Sequence, residues 1–422
     1  MAKRIFISQQ PSVIIIGGGI IGVCSAYYLA RKGVPVTLLE KDRINAGSTY
    51  GNAGFITPSD SLPVPAPGVL TQGMRWLMDA ASPFYIKPTL KRDMLQWLWN
   101  FQKACNEKAW KEAVPILTEL SVESQALFEE IIESEKLSCE YQQQGLMLLY
   151  KKEETFQEGQ QMARKLEEYG ISAEVFPADG LQSRFPPALP ELTGGIFYKS
   201  DAHFDPAAFN AQLAQRVREM GVKIRENTEV LNFTVEAGRI REVHTTTGTY
   251  LADQIVLAAG AWTPSLGKQL DLQLAIQPAK GYSITVQRPE NYPELPLLLD
   301  ETKIAVTPIG DTLRFAGTLE LAGLGLEINQ KRLNAIRHGV EDYLDVDLDV
   351  QPLVEIWRGL RPCSPDGLPL LGRSERYANL IVASGHCMLG ISQGTMTGKL
   401  VAEIALGENL SMDVESMRIE RF

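Results

Sequence analysis

Residues 13–40 read VIIIGGGIIGVCSAYYLARKGVPVTLLE, and this stretch decides the fold. A short apolar run (Val13 to Ile16) predicts a buried strand. The turn Gly17-x-Gly19-x-x-Gly22 predicts a tight passage into a helix from Ile20 to about Lys32, and Val34 to Leu39 predicts a second strand closed by Glu40. Each glycine has a reason: the first for the turn, the second for close approach of a pyrophosphate to the backbone, the third for packing helix on strand. The helix start presents free N–H groups and a partial positive charge to phosphates. Glu40 falls where an acid meets a ribose hydroxyl, so the stretch is a dinucleotide site.

A competing reading rests on hydropathy. No charged residue occurs from Pro11 to Ala30, after a basic start containing Lys3 and Arg4, as in a signal peptide or a membrane span. Three adjacent glycines and an acid-capped strand fit neither. With 422 residues, 45% of them hydrophobic and 22% charged, the chain can build two lobes with sizeable cores. A net charge of -10 leaves no basic stripe for nucleic acid and points to small-molecule partners. Five cysteines (Cys24, Cys105, Cys139, Cys363, Cys387), odd in number and without C-x-x-C spacing, predict reduced thiols and a cytoplasmic location rather than a disulfide frame or a zinc site. His203, His244 and His338 lack ligand spacing, so no metal is expected.

Outward from the glycine turn, Ala46 to Pro58 (AGSTYGNAGFITP) is a small-residue loop suited to pressing its backbone against a cofactor. Between Leu62 and Trp110 come prolines at 63, 65, 67, 83 and 88 and an aromatic run, Met94 to Phe101. That run is either one face of a core helix or a patch for a membrane surface or a partner. Helical spacing from Pro115 to Lys136 and from Glu153 to Tyr169, with a strand at Gly145 to Lys151, describes a cap lobe. Asp205-Pro206 opens a helix to about Met220, and three strands follow around 229–236, 239–245 and 250–251. Ala252 to Trp262 is a strand ending in small residues, over which a dinucleotide can cross. Strands around 282–286, 304–308 and 313–319 belong to the cap, and a helix starts near Ile391 whose N-terminus faces the site. The fold class is therefore α/β plus α+β. A Rossmann-like dinucleotide-binding domain (1–60, 194–271 and 350–422) is interleaved with an antiparallel-sheet substrate/cap domain (61–193 and 272–349).

Seven ordered segments carry a resemblance: GGGIIG (17–22), NAGFITP (52–58), APGV (66–69), KGYSIT (280–285), DETKIAVT (300–307), GLRPCSPDGLPLLG (359–372) and GHCMLG (385–390). Over essentially the whole chain they resemble the flavoprotein family of D-amino acid, glycine and sarcosine oxidases, and within it the D-amino acid dehydrogenases. The resemblance implies FAD rather than NAD, held non-covalently because Cys363 does not fall on the covalent flavin cysteine of some relatives. It places the adenosine and pyrophosphate on Gly17, Gly19, Ile20, Ile21, Gly22, Glu40, Lys41, Ser48 and Thr49, with Val230 against adenine. The flavin ring then rests near Asn52, Ala53, Gly54, Ala259, Gly260, Trp262, Gly359 and the turn Gly385, Leu389, Gly390, Ile391, Ser392. Phe315 stands roughly where sarcosine oxidases carry an oxygen-activating lysine, which implies a dye- or quinone-linked dehydrogenase.

The resemblance makes Arg361 the holder of the substrate carboxylate. A planar guanidinium grips a carboxylate through two parallel hydrogen bonds and so fixes its orientation; the plainer role is a salt bridge between lobes. Tyr282 either closes the pocket or is a half-buried strand tyrosine. His386 either tunes the ring and accepts a proton or bonds a backbone carbonyl. Cys363 and Cys387 are expected as packing. The implied reaction oxidises a D-amino acid to an imino acid, then a 2-oxo acid and ammonia, with electrons passed to a quinone. Alternatives are an oxygen-using oxidase of glycine, sarcosine, proline or hydroxyproline, an electron-relay subunit of a larger complex, and a binding protein that has lost catalysis. Peripheral contact with the inner face of the cell membrane accompanies the quinone reading, and the oligomeric state stays open.

Overall fold

The computed structural model describes residues 11–69, 84–290 and 292–422. The basic start at Lys3 and Arg4, and Pro83, lie outside them. Val13–Ile16 pairs in parallel with Val36–Leu39 on one side and Gln254–Leu257 on the other. The sheet extends to Lys223–Arg225 at one edge and through Leu380–Ser384 to the antiparallel Leu370–Arg373 at the other. All four residues of Val13–Ile16 are buried, as a strand covered on both faces must be. The helix Ile20–Arg31 crosses one face and packs with Gly394–Leu406 and Pro206–Glu219. Asp205 caps the last of these, accepting from the N–H groups of Ala207 and Ala208. Residues 230–250 form the expected three-strand meander.

The second, larger sheet runs Leu353–Cys363, Gln277–Gln287, Thr312–Leu321, Ile304–Ile309, Leu297–Leu299, Leu146–Tyr150, Gly194–Tyr198, Glu174–Pro177. Two of these strands fall outside the range 61–193 and 272–349: Gly194–Tyr198 and Leu353–Cys363, expected in the nucleotide half, pair into the cap sheet. Both are apolar runs next to nucleotide-domain segments, and a buried run does not declare which sheet it joins. The helix expected from Pro115 begins earlier, at Glu107, where Asn106 accepts from Ala109 N–H, and Pro115 lies inside it. Among the described residues no helix is long and apolar enough to cross a membrane.

Alternation along the large sheet decides what faces the cofactor half. Gly281 opposes Gly359, Ser283 opposes Trp357 and Ala316, and Ala279 opposes Arg361, so these residues share one face. Tyr282, Ile284, Val286, Leu313 and Phe315 take the other and pack into a core with Ile304, Val306 and Ile336.

Candidate active site

One cavity of about 540 Å³ opens at the carboxyl ends of the parallel strands, where an open α/β sheet binds ligands. Gly17, Gly19, Ile20 and Ile21 line it at the helix start; Glu40 and Lys41 line it at the end of the second strand. Gly17 has φ +116°, and a Cβ there would lie 2.3 Å from the Ala258 carbonyl oxygen. At Gly22 a Cβ would lie 1.9 Å from the Gly17 carbonyl oxygen, so this glycine packs under the turn rather than lining the cavity. Thr49 Oγ1 accepts the Ile20 N–H at 3.1 Å and fixes the small-residue loop to the helix start. Glu40 accepts from Gly18 N–H at 2.6 Å and Asp42 N–H at 3.0 Å. Burial pushes its pKa above the usual carboxylate value, and those two N–H groups oppose the shift.

Ser48, Asn52, Val230, Ala259, Gly260, Trp262, Gly359, Gly390 and Ile391 also line the cavity. Lys41 Nζ stands 3.7 Å from the Trp262 ring centroid at its mouth. Ala53, Gly54, Gly385, Leu389 and Ser392 do not line it but shape the loops that do. Gly54 N–H donates to Asn52 Oδ1, and Ser392 Oγ donates to the Phe55 carbonyl. Arg314, which the sequence reading passed over, reaches from the sheet face and donates to the Asn52 carbonyl at 2.8 Å, pinning the loop. Trp357 does the same by packing: a Cβ on Gly51 would meet its ring at 2.1 Å. Trp357 had a signal in strand alternation, two residues from Gly359 and four from Arg361 on one strand; Arg314, next to Phe315 on another strand, had none until the register was known.

Arg361 lies at the far end of the cavity with Pro362, Cys387 and Met388. Its guanidinium folds over Gly281, where a Cβ would come within 1.9 Å of Nη1. Nη1 donates to the Thr318 carbonyl at 2.9 Å, and no ion pair to Arg361 occurs among the described residues. Burial alone lowers its pKa, to about 10. A buried cation without an acid is a site for an anion. The salt bridge between lobes is therefore not its role.

Tyr282 is adjacent in sequence to Gly281 and so points the other way. Its hydroxyl donates to Glu320 Oε2 at 2.9 Å and accepts from Asn329 N–H at 3.3 Å, anchoring the start of the helix Gln330–Glu341. The structure thus takes Tyr282 away from the cavity. His386 lines the cavity, but its Nε2 pairs with Thr397 Oγ1 at 3.0 Å, and burial pushes its pKa down to about 3. It is a neutral, anchored imidazole. Phe315 is fully buried on the core face and cannot stand opposite the ring; Ala316 and Arg314 are the neighbours on the cavity side. Side chains alternate along a strand, so a difference of one position reverses the face. The expectation of five reduced thiols is also corrected. Cys363 and Cys387 form a disulfide with Cα atoms 4.1 Å apart, because the Cys363 strand end bridges His386 and Cys387 N–H donates to the Pro362 carbonyl. Cys24, Cys105 and Cys139 are free.

The cradle without side chains at Gly17 and Gly22, the acid at the second strand end and the helix start fit an FAD laid from Glu40 toward Arg361. Residues 12–404 match the FAD dependent oxidoreductase (DAO) family, and the chain belongs to it. Within that family it is similar to a D-amino acid dehydrogenase of Vibrio atlanticus, 31% identical over 97% of this chain and 99% of the relative. A D-amino acid dehydrogenase of Methylobacterium nodulans is 33% identical over 94% and 95% of the two chains. The fold matches the crystal structure of glycine oxidase from Geobacillus kaustophilus with a TM-score of 0.81 at 22% identity, covering 98% of this chain and 100% of that one. The cofactor is FAD, and the protein is an FAD-dependent oxidoreductase.

Proposed function

We propose that this flavoenzyme is a D-amino acid dehydrogenase that removes two electrons from the α-carbon and amine of its substrate and passes them to a quinone or an artificial dye. The observation that carries the reading is Arg361: a half-buried guanidinium that lines the cofactor cavity with Glu40 and has no acidic partner among the described residues, its pKa lowered by burial. FAD, when bound, supplies the electron acceptor for the amine. The chain's own residues do the rest. Arg361 grips the substrate carboxylate through the N–H donors that Thr318 leaves free. Gly281 gives the flat floor that lets the guanidinium lie against the sheet, and its partner Gly359 does the same for the Trp357 ring. Arg314 and Trp357 hold the Asn52 loop, which fixes one wall. Alignment of this kind supplies most of the rate, and a neutral amine substrate needs no side-chain base. The preference for the D-configuration rests on the likeness to D-amino acid dehydrogenases.

A dehydrogenase is favoured over an oxygen-using oxidase because, among the described residues, Lys41 is the only lysine lining the cavity, and it stands over the Trp262 ring beside Asp42. Lys280, on the same strand as Gly281, is buried and turned to the Glu327 carbonyl. For the acceptor we propose a membrane quinone reached by peripheral contact at the cytoplasmic face. The helix Arg92–Ala104 exposes Leu95 and Trp99, with Leu90 exposed just before it and Lys91, Arg92 and Lys103 beside them. FAD is held non-covalently. Anaerobic mixing of the purified yellow protein with D- and L-alanine or D- and L-proline tests the reading. Prompt bleaching by the D-isomer and dye reduction without peroxide are the expected results. Bleaching by neither isomer would favour an electron-relay subunit, and rapid peroxide formation in air would favour the oxidase.

A further inference from the structure

We propose that the Cys363–Cys387 disulfide is a redox site that takes electrons from the reduced flavin; this rests on the flavin dehydrogenase reading above. Cys387 lines the cofactor cavity at its Arg361 end, and the substrate carboxylate bound there must lie beside the ring for oxidation to occur. Cys363 follows Arg361 by two residues at the end of the same strand. Of five cysteines only these two are joined, and Cys387 is the one that lines the cavity. Cys387 has φ +50°, a left-handed conformation that is strained for a residue with a side chain, and such outliers concentrate at working sites.

The bond also has a way out. Cys363 is buried against Trp97 and Phe101 of the helix Arg92–Ala104, and Trp97 Nε1 donates to the Cys363 carbonyl at 2.9 Å. Met388, next to Cys387, is 46% exposed. The pair thus stands between the cavity and the helix whose outer face carries Trp99. In the step itself, anionic two-electron-reduced flavin gives up two electrons and its N5 proton, and one further proton comes from solvent. The S–S bond breaks, both sulfurs become thiols and the flavin returns to its oxidised form, so atoms and charge balance. An external two-electron acceptor, a quinone or another disulfide, then restores the bond.

The test uses the FAD-loaded enzyme purified in air without added thiol. It is reduced anaerobically in two arms, by a D-amino acid and by light with a flavin photoreductant, then quenched in acidic denaturant, labelled with a maleimide and mapped by mass. Before reduction the three free cysteines label; afterwards all five do, the new adducts at Cys363 and Cys387. Titration to full bleaching consumes about four electrons per flavin instead of about two, because a disulfide is a two-electron couple. Cys387→Ser returns the count to about two. If the amino acid fails to bleach the flavin while light succeeds and the two adducts appear, the substrate reading falls and the redox site stands. Two adduct-free cysteines in fully bleached enzyme, or thiols at both positions before any reduction, would overturn the proposal.

Discussion

Replacing Gly281 by alanine adds a methyl group where the Arg361 guanidinium lies. The new Cβ would sit 1.9 Å from Nη1, 2.5 Å from Cζ and 2.6 Å from Nη2, against an ordinary contact of about 3.5 Å or more between such atoms. Gly281 pairs with Gly359 on one side and sits at a register shift on the other, between Lys280 and Tyr282, which are both paired; with its neighbours held on both sides the guanidinium must move by more than about 1 Å. That breaks the 2.9 Å bond to Thr318 and spoils the paired geometry toward a carboxylate. Losing charge-assisted bonding of this kind costs about 2–3 kcal/mol, so kcat/KM for a D-amino acid falls by roughly 30- to 150-fold. The fold should hold, because alanine in a strand gains about 0.5–1 kcal/mol over glycine in chain entropy, partly offsetting the strain. The assay is anaerobic stopped-flow bleaching at 450 nm, on the order of the usual oxidised-flavin absorbance, beside a Tm and a flavin content. A variant with normal flavin content and kcat/KM within about threefold of wild type would show that Arg361 does not receive the carboxylate.

Arg361→Ala should raise KM and lower kcat while the protein stays yellow; unchanged turnover would remove Arg361 from the pocket. Tyr282→Phe leaves Glu320 and Asn329 without their shared hydroxyl, so Tm should drop by a few degrees for a loss of about 1–2 kcal/mol, with KM within about twofold of wild type; a large KM change would return Tyr282 to the site. Glu40→Ala removes the acceptor for Gly18 and Asp42 N–H and the acid at the strand end, and FAD affinity measured by fluorescence quenching should fall by about tenfold or more. Asp201 is buried against Ser59, and burial pushes its pKa up to about 8 from an unfolded value near 3.8. The native state then keeps a proton that the unfolded state loses, so this carboxyl's contribution is whole below about pH 4 and is lost as pH rises toward 8. Asp201→Asn should gain Tm on wild type between pH 5 and pH 8, and a constant gap would refute it.

The nucleotide half was legible because its signals are local. Gly17 and Gly22 are required by atoms within one turn and one neighbouring strand, and Glu40 is reached by counting along the second strand. The capped helix at Asp205 and the meander after it have the same character. The cap sheet was legible as strands but not as a sheet: which strand Leu353–Cys363 pairs with depends on contacts about seventy residues away along the chain, and apolar runs of equal burial carry no address. The same limit explains Tyr282 and Phe315. Both lie on the expected strands, but the sequence leaves the face of Tyr282 open and points Phe315 the wrong way until the register across Gln277–Gln287 and Thr312–Leu321 is known. The disulfide had no sequence signal at all, since 24 residues of separation and no spacing motif distinguish it from two packed thiols.

Departures from comfortable chemistry gather at one place in the molecule. Thr318, a β-branched residue, adopts φ +62°, and its hydroxyl is buried without a partner. That conformation turns its carbonyl to Arg361 Nη1, the hydrogen bond the guanidinium makes among the described residues. Arg361 itself is partly withdrawn from water with no acid beside it among those residues, and burial lowers its pKa to about 10. Each of these costs stability of order 1–3 kcal/mol and none is repaired by a neighbouring side chain. An anion delivered by the substrate repairs the largest of them: a carboxylate against the free guanidinium edge restores the missing charge partner. A neutral amine without a carboxyl group would leave that debt standing. On the proposed reading, the unmet charge is itself the specificity filter, selecting amino acids over simple amines before any contact with the substrate side chain is made.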